Sequence, residues 1–191
     1  MGIGTIITLG VLVVIAVYGI TIYNNLVQIK HNVTKAWANI DVLLKQRHDE
    51  LPKLIETCKQ YMKFEQDTLT RVIEARSKVS SAREAQNVPA LGQAEGALRA
   101  ALGSLFALVE AYPDLKANQT FQQLQTRISS LENGIADRRE FYNESVNINN
   151  VRIEQFPDAI IATLFHFKPA QLLEFTEEEK KDVDVKQLFG S

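Results

Sequence analysis

The chain has little cysteine and little tryptophan: Cys58 and Trp37 are single residues of their kinds. One thiol closes no internal disulfide, so nothing calls for an oxidising compartment, and Cys58 reads as a small apolar residue on a helix. Glycine and proline are scarce, at 9 and 5 of 191 residues, which argues against a loop-rich or disordered chain. Neither sign of charge dominates, with 21 Lys and Arg against 23 Asp and Glu. Without a basic surplus there is no electrostatic case for nucleic acid. Catalytic punctuation is missing too: no phosphate-binding glycine loop, no G-x-S-x-G and no H-E-x-x-H. A di-metal carboxylate site in a helical bundle needs Glu-x-x-His. The residues three before His31, His48 and His166 are Gln28, Lys45 and Thr163. His48 and Cys58 lack zinc spacing. No cofactor, metal or enzymatic activity is therefore expected. A Cys58–His dyad is the one nucleophilic pairing that spacing leaves open.

Charge is absent from the first 29 residues, since Lys30 is the first ionisable side chain other than tyrosine. The apolar part runs from Ile3 to Tyr23, about 21 residues, or roughly 30 Å as a helix, the hydrocarbon thickness of a bilayer. Ile3, Ile6, Leu9, Leu12, Val14, Val17, Tyr18 and Ile22 are its expected anchor residues. A cleaved secretory signal would carry a basic start, a shorter core and a small-x-small site, and none of these is present. Ile6 stands where myristoylation wants Ser or Thr. Tyr18 and Tyr23 suit the interface. Lys30, Lys35, Lys45 and Arg47 all follow the apolar core. The positive-inside rule then places the N-terminus outside and the body in the cytoplasm.

From Leu26 onward apolar residues recur in steps of three and four, through Ile29, Val33, Ala36 or Trp37, Ile40, Leu43 or Leu44, Leu51, Leu54, Cys58 and Tyr61 to Leu69 and Val72. That is a helix with one buried stripe. Pro52 lies inside it. The step from Ile40 to Leu51 is about three full turns, so the stripe keeps phase across the proline, and a kinked but continuous helix to about Ala82 is expected. A turn near His48–Glu50 is the alternative. A second helix is predicted from about Pro89 to Ala111 and a third from about Phe121 to Phe156. A short apolar one follows from Asp158 to His166, folding back over the bundle end. The expected architecture is all-α: a transmembrane helix, then an antiparallel bundle of three long helices plus a short C-terminal one. The expected divisions are an anchor over 1–25, a cytoplasmic bundle over 26–168 and an acidic, frayed tail over 169–191.

Fold and assembly are coupled in this reading. An unbroken first helix outruns the second, which leaves the seam around Trp37 without a partner in its own chain and demands another subunit. A turn at Pro52 would let one chain bury it.

The stretch after the anchor also resembles the opening signature of the LemA family of bacterial membrane proteins. The matching residues are Tyr23, Asn24, Leu26 and Val27, then Ala36–Trp37, Ile40–Asp41–Val42, Lys45, Arg47, Asp49, Pro52, Glu56–Thr57, Tyr61 and Glu65. Further on come Ala111–Asn118, which includes Tyr112, Pro113, Asp114, Lys116 and Asn118. Phe121, Leu124–Gln125, Tyr142–Asn143, Val146, Asn150, Ile153 and Phe156–Pro157 complete it. The resemblance covers nearly the whole chain. Departures are Asn149–Asn150 where the family usually repeats Tyr-Asn, Phe64 where it favours His, and Gln46, His48 and Glu50. Phe64 removes an imidazole and weakens any metal or proton-transfer role.

The resemblance implies an anchored protein of the bacterial inner membrane with a cytoplasmic bundle, and it implies no activity. A magnetosome-associated member points, by analogy, to membrane organisation. The residues themselves leave Asn24 and Asn143 open between fixing helix register and forming a binding patch. The expected function is a membrane-anchored scaffold that self-associates. The alternative is an adaptor or sensor that binds a protein partner or ligand through the bundle.

Overall fold

The computed structural model describes residues 2–174. The part of the expected tail beyond residue 174 lies outside the described residues. The regular elements are all α-helices: α1 Ile3–Tyr61, α2 Gln66–Glu84, α3 Val88–Val109, α4 Pro113–Lys116, α5 Gln119–Glu154 and α6 Asp158–Leu164. They divide between two compact units. The first holds the residues up to Asn39 together with Arg138–Leu172, and the second holds Ile40–Asp137 and the residues from Leu173.

In the first unit the apolar stripe of α1 is covered within the chain. Ile22, Leu26 and Ala162 form a buried cluster, with Ile153, Ile161 and Phe167 packed on it. Ile22, at the end of the expected anchor, is buried in this cluster. The α6 helix lies along α1 so closely that a Cβ on Gly19 would sit 3.8 Å from Ile161 Cδ1. It ends in a Schellman motif. Phe167 N–H donates to Ala162 at 2.9 Å and His166 N–H to Thr163 at 3.3 Å, with His166 in the left-handed region at φ 58°. The chain then runs as a strap along α5. Asn150 clasps Ala170 at both main-chain groups, donating to its carbonyl at 3.0 Å and accepting from its N–H at 2.9 Å. Asn149 donates to the Lys168 carbonyl at 3.3 Å, and the Tyr142 hydroxyl donates to the Gln171 carbonyl at 2.8 Å. Three polar side chains of one helix thus satisfy main-chain groups that have no helical or sheet partners of their own.

In the second unit α1 runs through Pro52 without turning. A proline has no N–H, so the carbonyl four residues earlier, that of His48, loses its helical donor. Arg76 on α2 supplies a replacement: its Nε donates to the His48 carbonyl at 3.0 Å. Helix continuity therefore coexists with a buried seam: Ala36 in the first unit, and Ile40, Leu44, Leu51 and Leu54 in the second, are buried within the chain. An unbroken first helix does not leave the seam bare, because the third long helix, α5, covers what the second cannot reach. Leu43 on α1 lies against Gly134 on α5, for instance.

The expected helix to Ala82 is instead broken between Tyr61 and Gln66. Lys59 in the last turn of α1 and Asp67 in the first turn of α2 suit the two helix dipoles. No proline or glycine marks this break, and its support is tertiary: Asn118 donates to the Tyr61 hydroxyl at 3.1 Å. The α2–α3 hairpin turns through Gln86, at φ 51°. Asn87 Oδ1 then caps α3 by accepting from Ala90 N–H at 3.1 Å. On α3, Gly92 faces the main chain of Glu174 too closely for any Cβ to fit.

Candidate functional site

Two groups of residues stand out, one in each unit. The first is the apolar start of α1. Over its most hydrophobic 18-residue window the mean hydropathy is 2.5 and none of the residues is buried. Ile3, Ile6, Leu9, Leu12, Val14, Val17 and Tyr18 are all more than a third exposed. A soluble core helix of this composition would be buried. This helix is long and apolar enough to cross a bilayer, and it shows its apolar side chains on every face. At its foot, the Tyr23 ring packs on Phe165 at 4.7 Å and on Phe167 at 5.9 Å. Trp37 packs on Tyr142 at 5.5 Å, so it is a packing residue, as its seam spacing predicts. Asn24 is exposed, which removes it as a register-fixing buried polar residue, while Asn143 is half-buried. Phe156 is 79% exposed, and Pro157, joined to it by a cis peptide bond, stands at the start of α6.

The second group is polar and internal. Arg47 is 1% exposed. Its guanidinium donates to Glu95 on α3 at 2.5 Å and to Glu132 on α5 at 2.6 Å, tying three helices together. Burial works against the charge on Arg47, and the two carboxylates outweigh it, holding the guanidinium above its ordinary value. Arg99 approaches Glu132 from the outside at 3.7 Å. Only the signature's Arg47 was visible as a candidate in the sequence. Glu95 and Glu132 were missed because a glutamate inside an Ala- and Leu-rich helix looks like any solvated one until its face is known.

Several other signature residues pin the fold. Asp41 pairs with Arg83 at 3.6 Å, while Asp49 and Pro52 are exposed on α1. Glu65 sits at the start of α2 and faces the Tyr112 hydroxyl at 3.5 Å. Pro113 and Asp114 open the single turn of α4, and Lys116 closes it and pairs with Glu110. Asn118 caps α5 by accepting from Phe121 N–H at 3.0 Å while its amide reaches Tyr61. The Ala111–Asn118 stretch therefore locks the α1–α2 break against the α3–α5 connection, around the fully buried Leu115.

Cys58 and His48 are both held in their neutral forms. Burial pushes the Cys58 thiol up to about 12, so it is protonated at neutral pH. His48 is lowered, first by burial and then by the charge of Arg76, whose Nη2 lies 2.7 Å from its Nε2. A neutral imidazole accepting from Arg76 is a polar contact, not a base facing a substrate. Among the described residues, no cluster of three or more His, Cys, Asp or Glu side chains could hold a metal ion.

The LemA family model matches residues 36–187. The chain is 29% identical to Protein LemA of Metamycoplasma hominis over 166 residues, which is 86% of this chain and 74% of that protein. It is 33% identical over 100 residues to magnetosome protein MamQ 1 of Paramagnetospirillum magneticum, covering 52% of this chain and 37% of that one. With magnetosome protein MamQ of Magnetospirillum gryphiswaldense it shares 36% identity over 89 residues, or 42% and 33% of the two chains. The match therefore spans only about a third of either MamQ protein. With the family model covering most of the sequence, from the Ala36–Trp37 pair to beyond the α6 strap, this chain belongs to the LemA family.

Proposed function

We propose that this protein is a membrane-anchored, non-catalytic helical scaffold that self-associates, with its N-terminus outside and its bundle in the cytoplasm of a bacterial inner membrane. The carrying observation is the exposed apolar start of α1 continuing, without a linker, into the packed helical units. Similarity to magnetosome proteins supports a role at a membrane. Buried ionisable residues such as Arg47, Glu95 and Asp158 are spent on internal ion pairs, which supports a non-catalytic role.

Self-association does not rest on the Trp37 seam, which the chain buries itself. It rests on a smaller feature: Phe141, Ile148 and Val151 are exposed on α5 at coiled-coil spacing. Anchoring in one membrane raises the effective concentration of this face toward copies of itself. The same face would serve the alternative, an adaptor that binds a different protein. The test is oxidative cross-linking in native membranes of Ile148→Cys in a Cys58→Ala background. A disulfide-linked dimer is the expected product. Absence of a dimer, with an unlike protein of fixed size cross-linked instead, would select the adaptor.

A further inference from the structure

A cleft of about 590 Å³ opens at the foot of the apolar span, within the first unit. Tyr23, Lys30 and His31 of α1 line one side, and Phe165, His166 and Lys168 beyond α6 line the other. Val27, Asn149 and Phe167 complete the lining, and no carboxylate belongs to it. We propose that this cleft holds the headgroup of an anionic phospholipid, a reading that rests on the membrane placement of α1.

Position, charge and surroundings each support that occupant. Tyr23 closes the apolar segment, and Lys30 and His31 follow within about two helical turns, the depth at which lipid phosphates begin. Two lysines and two imidazoles against no acid make an anion site. Anionic lipids attract such residues on the cytoplasmic side. The neighbouring surface is also built for acyl chains. The α6 helix hugs Gly19 and turns Ile160, 59% exposed, and Leu164, 65% exposed, outward beside the span. From Ala159 to Phe165 there is no ionisable side chain, and Asp158 is neutralised by Arg152 at 2.7 Å. The geometry is fixed rather than incidental. The Schellman turn returns Phe167 to the core and sets His166 and Lys168 on the cleft wall, while Asn149 holds the Lys168 carbonyl at 3.3 Å. A small soluble anion would fit a tighter nest of main-chain N–H groups. This cleft offers dispersed cations, aromatic faces and an apolar skirt, which suits a phosphodiester arriving with its tails.

The test uses the full-length chain in lipid nanodiscs of phosphatidylcholine with a minor fraction of phosphatidylglycerol. Lipid retained after mild detergent extraction is counted by native mass spectrometry, and insertion is checked by resistance to alkaline carbonate. Wild type is expected to retain phosphatidylglycerol preferentially. Lys30→Gln with Lys168→Gln should lower that preference on the order of thirtyfold, since each lysine near an anionic surface contributes a factor of roughly five. Lys59→Gln with Lys63→Gln, also exposed but in the other unit, should leave it unchanged. Both pairs lie on the surface, and circular dichroism confirms their helicity. Proportional retention of the two lipids by inserted wild type overturns the proposal. So does an unchanged preference in the Lys30 and Lys168 variant, or displacement of the lipid by inorganic phosphate. A chain that carbonate extracts from the bilayer overturns the underlying membrane reading instead.

Discussion

At the scale of single residues, Arg47 shows how a signature position acts. Its two carboxylate partners are one tenth or less and one fifth or less exposed, so its removal strands buried negative charge rather than deleting a surface ion pair. Arg47→Met is expected to destabilise the protein by about 3 to 5 kcal/mol, read by denaturant unfolding in detergent. Adding Glu95→Met should recover part of that loss, because the stranded charge goes with it. His48 gives a pH dependence of known sign. Its folded value is lowered by burial and by Arg76, so the unfolded state takes up a proton more readily. Its contribution to stability is present above the ordinary histidine value of about 6.5 and is lost as pH falls through the lowered folded value. Melting between about pH 7.5 and about pH 5.5 should show this decline, and His48→Gln should flatten it. An identical decline in that variant would assign the effect to other groups.

Among the elements, the most informative pairing is Pro52 with Arg76. A proline inside a helix leaves one carbonyl without its donor, and here a guanidinium from the neighbouring helix takes the place of the missing N–H. Arg76→Met in the native background should cost about 1 to 3 kcal/mol by leaving the His48 carbonyl unsatisfied. In a Pro52→Ala background the helix supplies its own N–H, and the same substitution should cost measurably less. A double-mutant cycle with no coupling would refute the substitution of donor for donor.

Helix periodicity in the sequence carried continuity through Pro52, the long third helix and the short helix after Pro157, because apolar spacing reports burial directly. It failed at Tyr61–Gln66, where the apolar rhythm passes through Met62 and Leu69 with no glycine or proline between. The side chains that meet the break there are Asn118 and Tyr112, about fifty residues away in sequence, and local patterning is blind to such partners. The strap held by Asn149, Asn150 and Tyr142 was illegible for the same reason: side chains that bond main-chain groups leave no period behind. Of the candidate site, the span was plain from composition, whereas the cationic cleft needed the turn at His166 to bring Lys168 near Lys30.

For the whole molecule, the two units put the chain's polar pins and its exposed surfaces to different uses. Buried ion pairs and amide clasps hold helices and strap in place. Exposed apolar residues concentrate on the start of α1, on α6 and along the Phe141–Val151 face of α5. That distribution supports the proposed membrane scaffold, which would need one surface for lipid and one for a second copy. The most direct test is the mass of the full-length protein in mild detergent, by light scattering corrected for bound detergent. The account predicts a discrete assembly larger than one 21.5 kDa chain, reduced to the single chain by Phe141→Glu with Ile148→Glu. A wild-type protein that stays monomeric at high concentration would contradict it.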